Sequence, residues 1–138
     1  MKNLLFCSIL LLAFGCNSLK ENKEAGTTDN TLKDGAYKVS SIVGTDISSD
    51  NLTLVISEDG QRISGFCGCN TYSGALNPQG SDALFSKLKT TKKYCNSGMT
   101  VENLFVKEMQ NVASVSVNGN TMNMNNASGE SIILVLKE

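Results

Sequence analysis

The sequence predicts an α+β domain, a rolled and mainly antiparallel sheet of about seven strands, closed part of the way to a barrel, with one amphipathic helix. Three observations predict it. Short segments of alternating apolar and polar residues recur through residues 36–89 and 114–137. Two of their junctions, Asp59-Gly60 and Asn118-Gly119, are dipeptides favoured in tight hairpins because they tolerate positive φ. Between Thr100 and Val112 the apolar period lengthens from that of a strand to that of a helix.

Taken in order, Ala36–Val43 is a first strand, with Tyr37, Val39 and Ser41 on one face and Lys38 and Ser40 on the other. Asn51–Ser57 and Gln61–Phe66 flank Asp59-Gly60. Pairing Glu58 with Gln61 sets Ile56 opposite Ile63, Leu54 opposite Gly65 and Leu52 opposite Cys67, which keeps one face apolar. Tyr72–Leu76 follows, turned by Asn77-Pro78-Gln79-Gly80. Ala83–Lys89 alternates again, with Leu84, Ser86 and Leu88 on one side and Phe85 and Lys87 on the other.

The helix carries Val101, Leu104, Phe105, Met109 and Val112 on its apolar stripe. Thr100 is its expected N-cap, Glu102 suits the positive end, and Lys107, Glu108 and Gln110 are expected to face water. Ser114–Val117 and Thr121–Met124 surround Asn118-Gly119-Asn120, with Met122 and Met124 on the core face, and Ser131–Lys137 is the last strand. Such a sheet must curl to hide its apolar side, and the helix would cover an open end or a flank.

At 138 residues and 41% apolar, the chain is one domain with appendages. Its net charge is −1 without a basic run, so no electrostatic footprint for nucleic acid is present. Histidine is absent, which removes the commonest general base and metal ligand together and argues against catalysis. No cofactor motif is found, and a monomer is expected.

Met1-Lys2-Asn3 and the apolar run Leu4–Phe14 form a signal-peptide pattern, too short for the about 20 residues of a spanning helix. The run ends in Ala13-Phe14-Gly15-Cys16, which resembles a bacterial lipobox. Ala13 stands there in place of the usual leucine, and Phe14 in place of a small residue. Residues 1–15 are thus read as a lipoprotein signal peptide and Cys16 as the acylated residue, which would hold the protein on a membrane. Cleavage by an ordinary secretory peptidase at the same bond is the alternative, and Cys7 is lost either way. Asn17 resembles residues that permit transfer to the outer membrane. Residues 16–34 read as the anchor cysteine and a flexible tether, in which Leu19 and Leu32 are incidental.

The string Gly68-Cys69-Asn70-Thr71-Tyr72-Ser73-Gly74 resembles the core motif of the META domain, the HslJ-like family of bacterial envelope proteins. The opening aromatic strand, the Asp-Gly hairpin, Thr91 to Cys95, the helix and the closing hairpin agree in order, so the likeness runs from about Gly35 to Glu138. Tyr37 stands where the family commonly has tryptophan, Lys93-Tyr94 replaces a methionine and a small residue, and Cys67 is additional. The resemblance implies a rolled antiparallel sheet with a helix, similar to lipid-binding secretion pilotins. It also implies a loose association with stress, drug tolerance and secretion, and no established catalytic residues.

Export favours disulfides. With Cys16 acylated, Cys67, Cys69 and Cys95 remain. Cys67 and Cys69 are too close in sequence to bridge comfortably while extended. Cys69–Cys95 is the favoured pair and would contribute roughly 3–4 kcal/mol. Cys67–Cys95 is the competing pair. The leftover thiol reads as core filler, and the three as a soft-metal set only if no disulfide forms. Within the motif Tyr72 belongs to the core. Asn70 either satisfies neighbouring backbone groups or takes a left-handed conformation, and Gly65, Gly68 and Gly74 mark bulges or close approaches. Lys87, Lys89, Lys92 and Lys93 form a basic cluster, read as a solvated face. The expected function is that of a non-catalytic, lipid-anchored envelope module that binds a protein partner or supports stress tolerance. A carrier of an acyl chain or small apolar ligand would need an interior cavity of a few hundred Å3. A thiol redox or metal protein would need an exposed, acidic thiol near Lys92 or Lys93.

Overall fold

A computed structural model describes residues 31–77 and 83–137. The signal peptide, Cys16, the tether up to residue 30 and the turn through Pro78-Gln79-Gly80 lie outside the described residues. Among the described residues nine strands and one α-helix follow one another: β1 (Gly35–Ile42), β2 (Thr45–Asp46), β3 (Thr53–Ser57), β4 (Arg62–Phe66), β5 (Thr71–Ala75), β6 (Lys89–Thr90), α1 (Met99–Met109), β7 (Ser114–Asn118), β8 (Thr121–Asn125) and β9 (Ser131–Lys137). A short 3-10 turn, Ser48–Asp50, sits between β2 and β3.

All strand pairs are antiparallel, in the order β6-β5-β4-β3-β1-β9-β8-β7, with β2 attached to β1. The sheet is not a closed barrel. Its two sides do approach: the Leu84 N–H donates to the Val112 carbonyl at 2.6 Å, while Leu76 pairs with Phe85. This joins the segment beside β5 to the residues that lead into β7, so the roll is shut along part of its seam by irregular backbone instead of a ladder.

The hairpin chemistry acts as the turn residues dictate. Asp59 and Gly60 both have positive φ, and Ile56 faces Ile63 in the expected register. The ladder covers Val55–Ser64 to Ser57–Arg62 and goes no further toward Leu54 and Leu52. There the Thr53 carbonyl accepts the Tyr72 hydroxyl at 2.9 Å, and Thr53 Oγ1 accepts the Phe66 N–H at 3.0 Å. One hairpin went unexpected: the first strand stops at Ile42 because Val43 and Gly44, both at positive φ, turn it into β2.

Two further expectations are corrected. Leu32 is buried, and Asp34 accepts the turn N–H groups of Asp59 and Gly60 at 3.3 and 2.9 Å, so the packed fold begins before β1. Ala83–Lys89 is not a regular strand. Phe85 lies opposite Leu76 and Lys89 opposite Ser73, so four steps on this segment match three on β5. The extra residue is a β-bulge at Lys87-Leu88, which shifts the alternation. Phe85 and Leu88 are therefore the buried pair, while Ser86 and Lys87, consecutive in sequence, are both exposed.

The inside of the roll is solid. Leu52, Leu54, Ile56 and Ile63 from one half meet Met122, Met124 and Ile133 from the other, with Phe105 and Met109 of α1 among them, all fully buried. The Phe105 ring lies 5.1 Å from that of Tyr72, tilted by 55°. The helix thus drives its apolar stripe into the sheet next to β5. Its N-cap is Gly98 and not Thr100, and Glu108, expected in water, is buried with Asn111 donating to it at 3.1 Å.

Candidate functional site

Between β4 and β5 the chain makes a tight loop, Cys67–Asn70, against the first turn of α1. Glycine permits the approach. A Cβ on Gly98 would stand 2.3 Å from the Gly68 carbonyl oxygen, and one on Gly68 would stand 2.8 Å from that of Gly98. Both have φ between 86° and 118°, where a side chain is strained. This contact is why the helix begins at Gly98.

The approach aims Glu102 into the loop. One carboxylate oxygen accepts the backbone N–H of Asn70 at 2.7 Å and that of Cys69 at 3.1 Å. The other accepts the Asn70 side-chain amide at 2.9 Å. Asn70 Oδ1 in turn accepts the Thr91 hydroxyl and the Lys93 N–H, both at 2.7 Å, and its amide nitrogen also donates to the Lys93 carbonyl at 3.2 Å. One buried asparagine therefore mimics a backbone strand toward residues 91–93 while its other edge is held by the helix. Of its two expected roles the structure shows the first, since Asn70 is not among the residues at positive φ.

The Cys69–Cys95 disulfide closes the same assembly, with Cα atoms 5.9 Å apart across 26 residues. It is the favoured pair, and Cys67 remains free and buried. The Cys67 thiol donates to the Asn70 carbonyl at 3.0 Å. Burial first, and the nearby Glu102 charge second, push this thiol up to about 12. Burial also pushes Glu102 upward, but its bonds from the Asn70 side chain and backbone and from the Cys69 backbone outweigh that and hold it below its ordinary value. A carboxylate so supplied with donors is a structural anion.

Tyr72 is core, as expected, and desolvation raises its phenol pKa. Gly65 faces the backbone of β3, where a Cβ would fall 2.0 Å from the Thr53 oxygen. Gly74 leaves room for Leu88, whose Cδ2 a Cβ would meet at 2.7 Å. The motif residues Gly68, Cys69, Asn70, Tyr72 and Gly74 are thus all placed by packing, and Cys95 and Thr91 join them from across the loop. Sequence reading missed the central partner, Glu102, which it took for a dipole-favoured helix residue. The soft-metal set is not available, because Cys69 and Cys95 are bonded to each other. Among the described residues no buried side-chain polar atom lacks a partner.

The META domain family matches the chain over residues 30–138. The chain belongs to the META domain family. Among solved structures it is similar to a Burkholderia xenovorans protein determined by NMR, at 22% identity and a TM-score of 0.57, covering 78% of this chain and 83% of that one. That likeness is one of fold. A DUF4847 family protein from Bacteroides vulgatus is also similar, at 11% identity and a TM-score of 0.46, with 81% and 92% covered. No curated protein matches the chain. In this META domain the glycine-bracketed motif is a lock between sheet, helix and the Thr91–Cys95 segment.

Proposed function

We propose that this protein is a non-catalytic META-domain lipoprotein of the bacterial cell envelope, anchored through Cys16 and acting by binding at its outer surface. The observation that carries the reading is the use of the motif itself: its thiols, amide and carboxylate partner are spent on one another, which leaves recognition to the exterior. The anchor rests on Ala13-Phe14-Gly15-Cys16, and the outer-membrane destination on Asn17. Among the described residues no helix is long and apolar enough to cross a membrane. A protein partner in the envelope, and a part in stress tolerance, follow the family association.

The rival readings draw less support. An acyl carrier needs interior space, and the roll is filled by large side chains, while hollows of 110–320 Å3 open on its surface. A redox thiol needs an accessible thiolate, and Cys67 is buried with its pKa raised. The deciding measurement is the intact mass of the membrane-extracted protein before and after reduction. Acylation at Cys16 adds the mass of lipid to a chain starting at that residue, and Cys16→Ala releases the protein from the membrane fraction. An unmodified mature mass, or a Cys16→Ala protein that stays membrane-bound, overturns the anchor. Cross-linking of the anchored protein in cells tests for an envelope partner.

A further inference from the structure

The bulge at Lys87-Leu88 has an outer side. Strand register sets Ser64, Ser73 and Lys89 in one row across β4, β5 and β6. Arg62 and Ala75 occupy the next row, extended by Ser86, whose N–H donates to the Ala75 carbonyl at 2.8 Å. Lys87 falls between the rows, because the extra residue turns Leu88 inward and leaves Ser86 and Lys87 outside together. The result is a hollow of about 110 Å3 bordered by Arg62, Ser73, Ser86, Lys87 and Lys89.

Three features distinguish this hollow from a merely solvated face. It gathers three cations on a chain whose net charge is −1, and none of its lining residues is acidic. From Ala83 to Val101 the sequence has four lysines and no carboxylate. Among the described residues neither Lys87 nor Lys89 takes an ion pair, while Arg62 engages Glu58 through Nε alone, at 2.9 Å. The Ser86 hydroxyl accepts the Ala75 N–H at 3.1 Å, so its own proton can point outward.

We propose that this hollow is a binding site for a phosphoryl group. Two lysines and the outer edge of a guanidinium supply the charge that a dianionic, tetrahedral oxyanion needs, and the Ser73 and Ser86 hydroxyls supply further donors. Its volume is that of about four water molecules, enough for the phosphoryl group and the first atoms of whatever bears it. A carboxylate would meet fewer of the donors and leave more of the positive charge uncompensated. The site lies apart from the Cys67–Asn70 lock and is independent of whether Cys16 is acylated.

The test uses the full-length protein in a zwitterionic detergent, titrated with inorganic phosphate against chloride at equal ionic strength. Backbone amide shifts at Gly74, Lys87 and Lys89 report the site. Phosphate should move them where chloride does not, and K87Q/K89Q should weaken binding about tenfold. The pair K92Q/K93Q, outside the hollow, should leave it unchanged. Equal responses to chloride, or equal losses in the two double variants, overturn the proposal. A second arm uses phosphatidylcholine vesicles with and without phosphatidic acid. Phosphatidic-acid-dependent binding that inorganic phosphate competes away identifies a lipid headgroup as a source, whereas phosphate binding without vesicle binding identifies a soluble one. Vesicle binding with no response to inorganic phosphate is attraction to a charged surface, and it too overturns the proposal.

Discussion

The two ends of β5 are built from the same short motif and behave as opposites. At the Thr71 end the buried polar groups meet one another: Glu102 takes three N–H donors, Asn70 holds residues 91–93, and a disulfide closes the loop. At the Ala75 end the polar groups of Ser73, Ser86, Lys87 and Lys89 line an open hollow. The difference teaches where to look for activity in a domain whose most recognisable residues are structural. Groups that satisfy one another hold the fold, and groups left facing water are available to a ligand.

The sharpest way to break the contrast is to remove the centre of the lock. Glu102→Ala strips the acceptor from two backbone N–H groups and one amide, each about 1–3 kcal/mol to leave unmade, so a loss of about 4 kcal/mol is expected in chemical denaturation. Reduction of Cys69–Cys95 comes next, at about 3 kcal/mol, read as the difference in unfolding free energy with and without reductant. Amide exchange should rise first in residues 67–70 and 91–95 in both cases, and little in β7–β9. Uniform acceleration across the sheet would show that the lock is not a separable unit.

Acid offers a milder version of the same experiment. Glu102 is held below its ordinary value of 4.5 in the folded chain, so its stabilisation is fully present above that value and is lost as pH falls through the lower, folded one. Stability should therefore decline as pH drops below 4.5, and Glu102→Gln should flatten that part of the curve. An unchanged acid limb in the variant would assign the decline to other carboxylates.

How much of this was legible follows from how local each signal is. Asp59-Gly60 announces its turn from two residues, and the apolar register of Ile56 and Ile63 follows from it. Cys69 and Cys95, the buried Met122 and Met124, and the helical stripe through Phe105 were likewise readable. Glu102 was not, because a carboxylate on a helix looks solvated until a folded loop aims donors at it. Leu32 looked incidental among polar neighbours, and Val43, being β-branched, gave no hint of a left-handed turn. The bulge was hidden for a related reason. Leu84, Ser86 and Leu88 alternate acceptably by themselves, and only the missing side chain of Gly74 selects Leu88 for the inside.

The Ala75 end should respond weakly to change. Gly74→Ala sets a methyl 2.7 Å from the end of the Leu88 side chain and 3.3 Å from Ile63, contacts that Leu88 can relieve by shifting, so about 1 kcal/mol of stability is expected to go. Smaller still is the effect of Lys87→Gln with Lys89→Gln, both exposed and neither in an ion pair among the described residues: within about 0.5 kcal/mol of the parent. The sign is informative as well as the size. Cations gathered around a hollow repel one another, so their neutralisation should leave stability unchanged or raise it slightly, while the same change at a purely structural site would lower it. A clear loss of stability in this double variant would mean that the two lysines hold the bulge in place, and the contrast between the two ends of β5 would collapse.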